Sequence, residues 1–328
     1  DPATGLEARI DNMRNHVAAT FGLILPEIRL TDNAALPLGT YLIRIHGVEQ
    51  ARDRLRSGEL LALKSGDVEI AYLDEGEGPT VVLGHCSAAS HREWAPLIDK
   101  LVEDWHVLAP DLIGYGQSGP WPAEKPFSID ADVEALLAVA ENGEAPLHLV
   151  AHSYGAALAL EAARSLKDKV KSLTLIEPVS FHLLRLEDLP EWQDVEKLGV
   201  AVLDPVAKGE DKKAAGAFMS YWLGRWRWWL APDRFKTAIA ATIPKVALEF
   251  SIALDAKSTA MDYAEITAPT LLIMGSKTPP PTRAVTQLLS KTLPNVELQV
   301  LKGAGHMSPF THQSKLNQMI LDHLTAHR

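Results

Sequence analysis

The sequence predicts an α/β protein with a mostly parallel sheet, a helical insertion in that sheet, and a separate N-terminal segment. From Leu61 onward, short apolar runs typical of strands alternate with helical stretches, which is the pattern of a sheet covered by helices. One of these runs passes abruptly into a small-residue helix within residues 147–163. A long helical, aromatic-rich stretch over about residues 179–265 then interrupts the alternation, which residues 270–327 restore.

Composition limits the classes of partner. The chain has 328 residues, 47% of them hydrophobic, enough for one large domain or two. A net charge of -10 without any block of Lys and Arg argues against nucleic acid and against an anionic membrane surface. Cys86 is the only cysteine, which excludes intrachain disulfides and cysteine-based metal clusters. No membrane-spanning run and no secretion signal is visible, so we expect a cytoplasmic location.

The first 63 residues differ from the rest of the chain. Residues 1–64 hold eight acidic and eight basic side chains, so the negative charge lies in the remainder. We therefore expect a small α+β segment over 1–63 and a second domain over 64–328. The predicted elements of the segment are a helix over Leu6–Phe21, strands over Glu27–Leu30 and Tyr41–Ile45, and a polar helix over Val48–Arg56.

The stretch FGLILPEIRLTDNAALPLGTYLIRIHGVEQARDRLRSGELLAL, Phe21 to Leu63, resembles part of the cytoplasmic domain of the flagellar and type III secretion export-gate family. The resemblance implies a small α+β fold. It does not imply export, because the membrane-spanning half of that family is absent from this sequence. We expect an accessory module that serves packing, homo-oligomerisation or support of a lid.

The second domain yields an ordered series of elements. The predicted strands are Val68–Leu73, Thr80–Leu83, His106–Pro110, the run from Leu147, Val170–Ile176, Thr270–Met274 and Glu297–Leu301, with helices over Ile129–Ala140 and Gln313–His327. The insertion at 179–265 follows the strand that ends at Ile176. At that place it is long enough to cover a site at the sheet edge.

The stretch LHLVAHSYG, Leu147 to Gly155, has the strand, sharp turn and helix that a nucleophile elbow requires. Small residues two before and two after the serine let strand and helix approach, and the turn lifts the hydroxyl clear of the sheet. Ala151 stands where the usual pattern has glycine, which is a mild departure. Ser153 is therefore the predicted nucleophile; the alternative is that it only caps the following helix.

Six motifs in this order resemble the capped serine esterase-like branch of the α/β-hydrolase fold family: HCSAAS, PDLIGYGQSGPW, VAHSYGAALAL, LTLIEPVSFHLLR, YWLGRWRWWLAP and GAGHMSPFTH. The resemblance runs from about Leu63 to the C-terminus. It implies the chain order serine, acid, histidine.

In that order the base belongs in the loop after the last strand, where His306 lies between glycine-rich neighbours. His152, next to the serine, is expected to be a packed or hydrogen-bonded neighbour. Three further histidines are kept as reserve candidates: His85, His91 and His312.

The position of the catalytic acid departs from the pattern that is common in this family. Many relatives read G-x-x-D after the strand that here ends at Met274, but this chain reads GSKT and has Thr278 in place of the carboxylate. In some members, the haloalkane dehalogenases among them, the acid follows the strand after the elbow, and Glu177 stands at that position. The remaining candidates are the insertion carboxylates Asp255, Asp262 and Glu265.

For the oxyanion hole, the resemblance aligns His85-Cys86-Ser87 with the family's H-G-x turn. The backbone N–H groups of Ser87 and Tyr154 are then the predicted donors. Cys86 replaces the usual glycine, and a side chain there would strain a turn that needs positive φ. Cys86 is also a weaker candidate nucleophile, because it lacks an elbow.

The insertion concentrates tryptophans in Tyr221–Trp229, and Trp222 and Trp226 are candidate walls of a substrate pocket. Hydrophobic packing of the insertion is the alternative. Arg225 and Arg227 are expected to face solvent. No metal-ligand constellation, dinucleotide fingerprint or Walker motif is visible, so no metal and no cofactor is expected.

The predicted function is hydrolysis of a small-molecule carboxylic ester through an acyl-serine intermediate, with Ser153, His306 and Glu177 as the triad. A serine in the elbow argues against haloalkane dehalogenases and epoxide hydrolases of this fold, which use aspartate there. Lactone hydrolysis, C–C bond hydrolysis and perhydrolysis with the same triad stay open. So does a non-catalytic binding or scaffold module.

Overall fold

The computed structural model describes residues 40–45, 48–54 and 60–328, with backbone only for 252–255 and for the described residues of 40–54 other than Leu42 and Arg44. Its strands are β1 (Thr40–Ile45), β2 (Val48–Arg54), β3 (Leu61–Ser65), β4 (Val68–Glu75), β5 (Thr80–Gly84), β6 (His106–Pro110), β7 (Leu147–His152), β8 (Val170–Ile176), β9 (Thr270–Gly275) and β10 (Val296–Leu301). Its α-helices are α1 (Ala95–Leu101), α2 (Ile129–Ala140), α3 (Tyr154–Leu166), α4 (His182–Leu186), α5 (Trp192–Ala207), α6 (Asp211–Leu223), α7 (Arg225–Leu230), α8 (Asp233–Asp255), α9 (Ala260–Tyr263), α10 (Pro280–Thr292), α11 (Ser308–Thr311) and α12 (Gln313–Ala326).

Eight strands form one sheet in the order β10-β9-β8-β7-β5-β6-β4-β3. All neighbours from β10 to β6 pair in parallel, whereas β4 pairs antiparallel with both β6 and β3. The predicted mostly parallel sheet is confirmed. Its central strands β5, β7 and β9 are buried along their whole length, because helices cover both faces of a parallel sheet.

Successive side chains of a strand point to opposite faces, and two cores form accordingly. In β5, Val82 joins the core that contains Leu158 of α3, while Val81 and Leu83 join the core that contains Leu97 of α1 and residues of α12. The insertion packs its buried side chains into the first core. The carboxyl ends of the parallel strands lie together at one edge of the sheet. The insertion packs on the face of the sheet that forms the first core.

The insertion between β8 and β9 contains helices α4 to α9, within the residues 179–265 that the sequence indicated. Helix α8 contacts α6 and α5, so these three helices pack on one another. Within the part of the chain that the structure describes, no helix combines the length and the apolar character needed to cross a membrane.

Contacts divide the chain into two units, Asp1–Glu59 and Leu60–Arg328. The boundary expected after residue 63 falls inside β3, which pairs antiparallel with β4 over Leu61–Ser65 and so belongs to the second unit. The predicted elements at Leu6–Phe21 and Glu27–Leu30 lie outside the described residues.

In the first unit, the predicted strand over Tyr41–Ile45 lies within β1. The polar helix predicted over Val48–Arg56 is wrong, because Val48–Arg54 is strand β2. It pairs antiparallel with β1 from Thr40 opposite Arg54, with an irregularity between Ile43 and Arg44. Pairing with a neighbouring strand overrides a weak helical preference, since intrinsic propensities differ by less than about 1 kcal/mol per residue.

Close backbone approach fixes the turn between β7 and α3. A Cβ on Gly155 would lie 2.5 Å from the carbonyl oxygen of His85 and 2.6 Å from that of Gly84. Ala151 is small enough to lie against Gly84, where a Cβ would be 3.1 Å from the Ala151 methyl carbon. The small residues around Ser153 therefore serve the close contact of β7 and α3 with β5.

We predict that Gly155→Ala destabilises the fold by about 1–3 kcal/mol, because the added methyl group overlaps backbone that has no room to move. Gly199→Ala is the matched control in another helix, α5, where a Cβ would meet only a Phe250 ring carbon at 3.8 Å. That change should be neutral or stabilise by up to about 1 kcal/mol. Thermal unfolding of both variants measures the difference, and equal melting temperatures would contradict the steric argument.

Candidate active site

The candidate site lies at the carboxyl ends of β5, β7, β8, β9 and β10. Ser153 follows β7, Glu177 follows β8, and His306 lies in the loop after β10. In open α/β sheets, the loops after the carboxyl ends of parallel strands are where ligands bind. The sheet order thus brings together three side chains that are distant in sequence.

Ser153 adopts φ 56° and ψ -117°, a conformation that non-glycine residues rarely take. Its N–H donates to the carbonyl of Ile176 at 2.9 Å, so the turn is tied to β8. This local strain is typical of a functional turn held by its surroundings.

The three predicted side chains form a continuous chain of hydrogen bonds. The Ser153 hydroxyl lies 2.9 Å from Nε2 of His306, and Nδ1 of His306 lies 2.7 Å from Oε2 of Glu177. With its Nδ1 proton donated to the carboxylate, the imidazole can accept the serine proton on Nε2. All three side chains are buried.

Glu177 also receives hydrogen bonds from the turn after β9. The Gly275 N–H donates to Oε1 at 2.6 Å, and the Thr278 hydroxyl donates to Oε2. Thr278, which stands where many relatives carry the acid, thus contacts the carboxylate that follows β8. The sequence showed the missing aspartate but gave no signal that its replacement would bind Glu177.

The charge states of this pair follow from their surroundings. Burial acts to raise the pKa of Glu177, but the hydrogen bond and charge of His306, with the bonds from Thr278 and Gly275, outweigh it and lower the pKa. Burial lowers the pKa of His306 from 6.5 and outweighs the opposing effect of Glu177. The resting pair at neutral pH is a carboxylate and a neutral imidazole.

The two predicted oxyanion donors flank Ser153. Tyr154 begins α3, where the first N–H groups of a helix have no partner inside the helix. Among the described residues, no hydrogen bond engages the backbone N–H of Ser87 or of Tyr154. The expected strain at Cys86 is absent: positive φ in this loop occurs at Ala88, with φ 59°, and the Cys86 N–H donates to Glu93.

The two tryptophans named as pocket walls have different positions. Trp222, at the end of α6, stacks on the His306 ring with centroids 3.9 Å apart and an interplanar angle of 27°. Trp226 lies on α7, is 71% exposed, and stacks on Trp229 at 5.2 Å. It lines neither cavity beside Ser153, so its assignment to the pocket is wrong.

The reserve histidines are engaged elsewhere. His85 bonds the Cys86 carbonyl and accepts from the Leu112 N–H, and His91 bonds Asp111. His312 is bonded to the neighbouring Thr311 hydroxyl. Each is therefore held away from Ser153.

The alternative acids are also accounted for within the described residues. Asp262 caps α9 through the N–H and hydroxyl of Thr259, and Glu265 is exposed. The side chain of Asp255 lies outside the described residues.

His152 contacts the site as a hydrogen-bonded neighbour, one of the two roles that the sequence indicated, but the sequence did not identify its partners. Its Nδ1 lies 2.6 Å from Oε1 of Glu93, and its Nε2 donates to the backbone carbonyl of His306 at 2.9 Å. The side chains of His152 and Glu93 are both fully buried. This second Glu–His pair fixes the backbone that carries His306; the spacing of 59 residues between Glu93 and His152 gave no sequence signal.

Cys86, Glu93 and His152 offer the one cluster of possible metal ligands among the residues that the structure describes. Both ring nitrogens of His152 are already hydrogen-bonded. Burial, with the nearby Glu93, raises the pKa of the Cys86 thiol well above its ordinary value, so the thiolate that a metal needs is disfavoured. The cluster does not fit a metal ion.

A buried polar network connects the insertion to Ser87, whose backbone N–H is one of the two predicted oxyanion donors. Glu249 of α8 accepts from the Ser87 hydroxyl at 2.5 Å on Oε2, and from the Tyr115 hydroxyl at 2.7 Å and Lys245 at 2.9 Å on Oε1. Lys245 also bonds Asp132 at 2.8 Å. Sequence reasoning singled out Ser87 but none of its partners in this network, because the pairing spans up to 162 residues.

Two cavities meet at the serine and share Ser87, Ser153, Phe218 and Trp222. The small cavity, about 50 Å³, is lined in addition by apolar residues and by Tyr154, Ser180, His182 and Glu249. The large cavity, about 340 Å³, is lined in addition by His306 and Met307, among others. The His306 ring therefore lies on the side of the large cavity.

This sheet, with a serine on a strained turn beside a histidine and a carboxylate, is matched over residues 79–313 by the model of the alpha/beta hydrolase fold. That match covers well over half of the chain. The chain belongs to the alpha/beta hydrolase fold family. A second family model, FHIPEP, matches residues 1–89, and so the predicted resemblances of both parts are confirmed.

The curated relatives also match the two parts of the chain separately. Lipase LipV of Mycobacterium tuberculosis is 38% identical over 143 residues, which are 43% of this chain and 52% of LipV, so the chain spans about half the length of this curated relative. The flagellar biosynthesis protein FlhA of Treponema pallidum is 44% identical over 63 residues, 19% of this chain and 9% of FlhA. The crystal structure of the enol-lactonase from Burkholderia xenovorans matches with a TM-score of 0.66 at 19% identity, covering 81% of this chain and 100% of that one, which is a likeness of fold.

We predict that His306 titrates below pH 6.5 and that Glu177→Gln lowers its pKa further, because the variant removes the charge that favours the imidazolium. Imidazole NMR signals followed against pH measure both values. Glu265→Gln, which neutralises an exposed carboxylate, is the control and should change nothing. A wild-type pKa at or above 6.5 would show that burial does not dominate, and a rise in Glu177→Gln would show that the Glu177 charge does not favour the imidazolium.

Proposed function

We propose that the protein is a serine esterase that cleaves carboxylic esters through an acyl-Ser153 intermediate. The observation that carries the proposal is the chain of hydrogen bonds from Ser153 through His306 to Glu177, at 2.9 Å and 2.7 Å. A serine hydroxyl is a weak nucleophile without an adjacent base, and this arrangement supplies the base and a group that orients it.

In the first step, Oγ of Ser153 attacks the ester carbonyl carbon while its proton moves to Nε2 of His306. The carbonyl oxygen becomes an oxyanion and accepts hydrogen bonds from the N–H groups of Ser87 and Tyr154. Each such donor contributes on the order of 3 kcal/mol to stabilisation of the transition state. Glu177 holds the neutral imidazole in the tautomer with the proton on Nδ1 and stabilises the imidazolium that then forms.

The intermediate then collapses and the ester C–O bond breaks. The alkoxide leaving group takes the proton from Nε2 of His306 and departs as the alcohol, and the acyl group stays on Ser153. Water then attacks the acyl carbon, His306 takes a water proton, and the serine leaves with that proton. The carboxylic acid is released and the enzyme is restored.

The position of His306 orients the substrate. Because the leaving group must reach Nε2 of His306, it belongs in the large cavity, which His306 lines. The acyl group then belongs in the small cavity, on the other side of Ser153. This separation favours esters of a short acyl group with a larger alcohol.

The helical insertion acts as a cap in this proposal. Trp222 covers one face of the His306 ring and so excludes water from it, and an aromatic face also favours the imidazolium. The first unit, Asp1–Glu59, is then an accessory module that takes no part in the chemistry.

We predict that Glu177→Gln lowers kcat/KM for p-nitrophenyl butanoate by about 10³-fold or more, since the imidazolium loses its buried counter-charge. Release of p-nitrophenolate measures the rate. Activity should also fall as pH drops through the pKa of His306, below 6.5, because only the neutral imidazole is a base.

Ser153→Ala sets the background rate, and Glu265→Gln is the control that should retain activity. Near-normal turnover in Glu177→Gln would place the acid elsewhere. Absence of Ser153-dependent hydrolysis of any ester would reject the esterase proposal and favour a lactone or a C–C substrate.

A further inference from the structure

The small cavity beside Ser153 combines apolar walls with a few polar groups. Its apolar walls include Ile129, Ala157, Val179, Val246 and Phe250. A cavity of about 50 Å³ has room for about three to five water-sized groups, which suits a short acyl chain. Apolar walls alone would select a plain alkyl chain, so the polar groups decide what else the cavity recognises.

The hydroxyl of Ser180 is one of these groups. Ser180 lines the small cavity and is 2% exposed, and its Oγ has no hydrogen-bond partner within residues 60–328 as the structure describes them. Its backbone carbonyl accepts from the Leu183 N–H, so the carbonyl has a partner and the hydroxyl does not. Buried hydroxyl groups nearly always have a partner, and an unmade bond is unfavourable. A polar group on a bound substrate would supply that partner.

Glu249 is another polar group of the cavity, which His182 and Tyr154 also line. The Tyr154 hydroxyl is already bonded to Asp132, and His182 Nε2 lies 3.4 Å from the Tyr263 hydroxyl. Oε1 of Glu249 accepts two hydrogen bonds, from Tyr115 and Lys245, whereas its Oε2 accepts one, from Ser87. A carboxylate oxygen can accept two, so Oε2 retains one acceptor position. The cavity therefore also accommodates a hydrogen-bond donor.

The charges around Glu249 exclude an anionic substituent. Lys245 is one cation between two carboxylates, at 2.8 Å from Asp132 and 2.9 Å from Glu249. Both carboxylates already engage Lys245, so Lys245 is not free to pair with an anionic substituent. Burial raises the pKa of Glu249, and whenever Glu249 is ionised it also repels such a substituent.

We propose that the acyl group of the substrate carries a neutral hydrogen-bonding substituent, a hydroxyl or oxo group, that binds the Ser180 hydroxyl in the small cavity. This inference rests on the proposed esterase function, which places the acyl group there. Ser180 is then a specificity-determining residue for the acyl group and takes no part in proton transfer.

The test compares two esters of equal shape, phenyl 3-hydroxybutanoate and phenyl 3-methylbutanoate, which differ by a hydroxyl in place of a methyl group. We expect the wild-type enzyme to favour the hydroxy ester by about tenfold in kcat/KM, the order that one neutral hydrogen bond supplies. Both rates are divided by the rates of alkaline hydrolysis, which removes the difference in intrinsic reactivity.

In Ser180→Ala the ratio should fall to about one or below, because the partner of the hydroxyl is lost and the site becomes apolar. A ratio within one variant is unaffected by partial unfolding. Ser308→Ala is the matched control, since Ser308 is also buried with an unpartnered hydroxyl but lines neither cavity. Its ratio should equal that of the wild type.

The outcomes separate the two proposals. Ser153-dependent hydrolysis of both esters without preference, or a preference that survives Ser180→Ala, overturns the acyl-subsite inference and leaves the esterase function intact. Fastest hydrolysis of phenyl hydrogen succinate, whose acyl group is anionic, overturns it as well. If none of the esters is hydrolysed with dependence on Ser153, the proposed function itself fails.

Discussion

The buried hydrogen bond between His306 and Glu177 is the interaction on which the candidate site depends. It forms because β8 and β9 are adjacent and parallel, so that Glu177 at the end of β8 lies beside the turn that follows β9. That turn supplies the Gly275 N–H and the Thr278 hydroxyl. A buried carboxylate stays ionised only when such donors compensate its lost hydration. The Gly275 N–H and the Thr278 hydroxyl supply such donors to Glu177.

The insertion contributes to the site as well as covering it. Trp222 of α6 lies on the ring of His306, and Glu249 of α8 holds the side chain of Ser87. One contact concerns the proposed base and the other the proposed oxyanion donor. A movement of the insertion would therefore displace both the Trp222 ring that lies on His306 and the carboxylate that holds Ser87. The position of the insertion is thus coupled to the proposed base and to the proposed oxyanion donor.

Much of this architecture could be predicted from local sequence patterns. The strand, turn and helix around Ser153, the mostly parallel sheet and the place of the insertion follow from hydrophobic periodicity and small residues. The position of Glu177 followed from family order, and the structure brings it to His306. Strand β2 was predicted as helix, because pairing with a partner strand is not visible in local propensity.

The remaining features depend on contacts between distant parts of the chain. Nothing local distinguishes Thr278, Glu93 or Glu249 from other polar residues, since each acquires its role from a partner at least 59 residues away. The tryptophan cluster shows the same limit: composition drew attention to Trp222 and Trp226 alike, but helix orientation directs one to His306 and the other to solvent.

The most direct test of the account is to identify the residue that becomes covalently modified. The protein is treated with diethyl p-nitrophenyl phosphate, which transfers its phosphoryl group to an activated serine and releases p-nitrophenolate, and the product is analysed by peptide mass spectrometry. The account predicts one diethylphosphoryl group per chain, on Ser153, with loss of ester hydrolysis in proportion to labelling. Modification of Cys86 in place of Ser153, or full activity after complete labelling of Ser153, would contradict it.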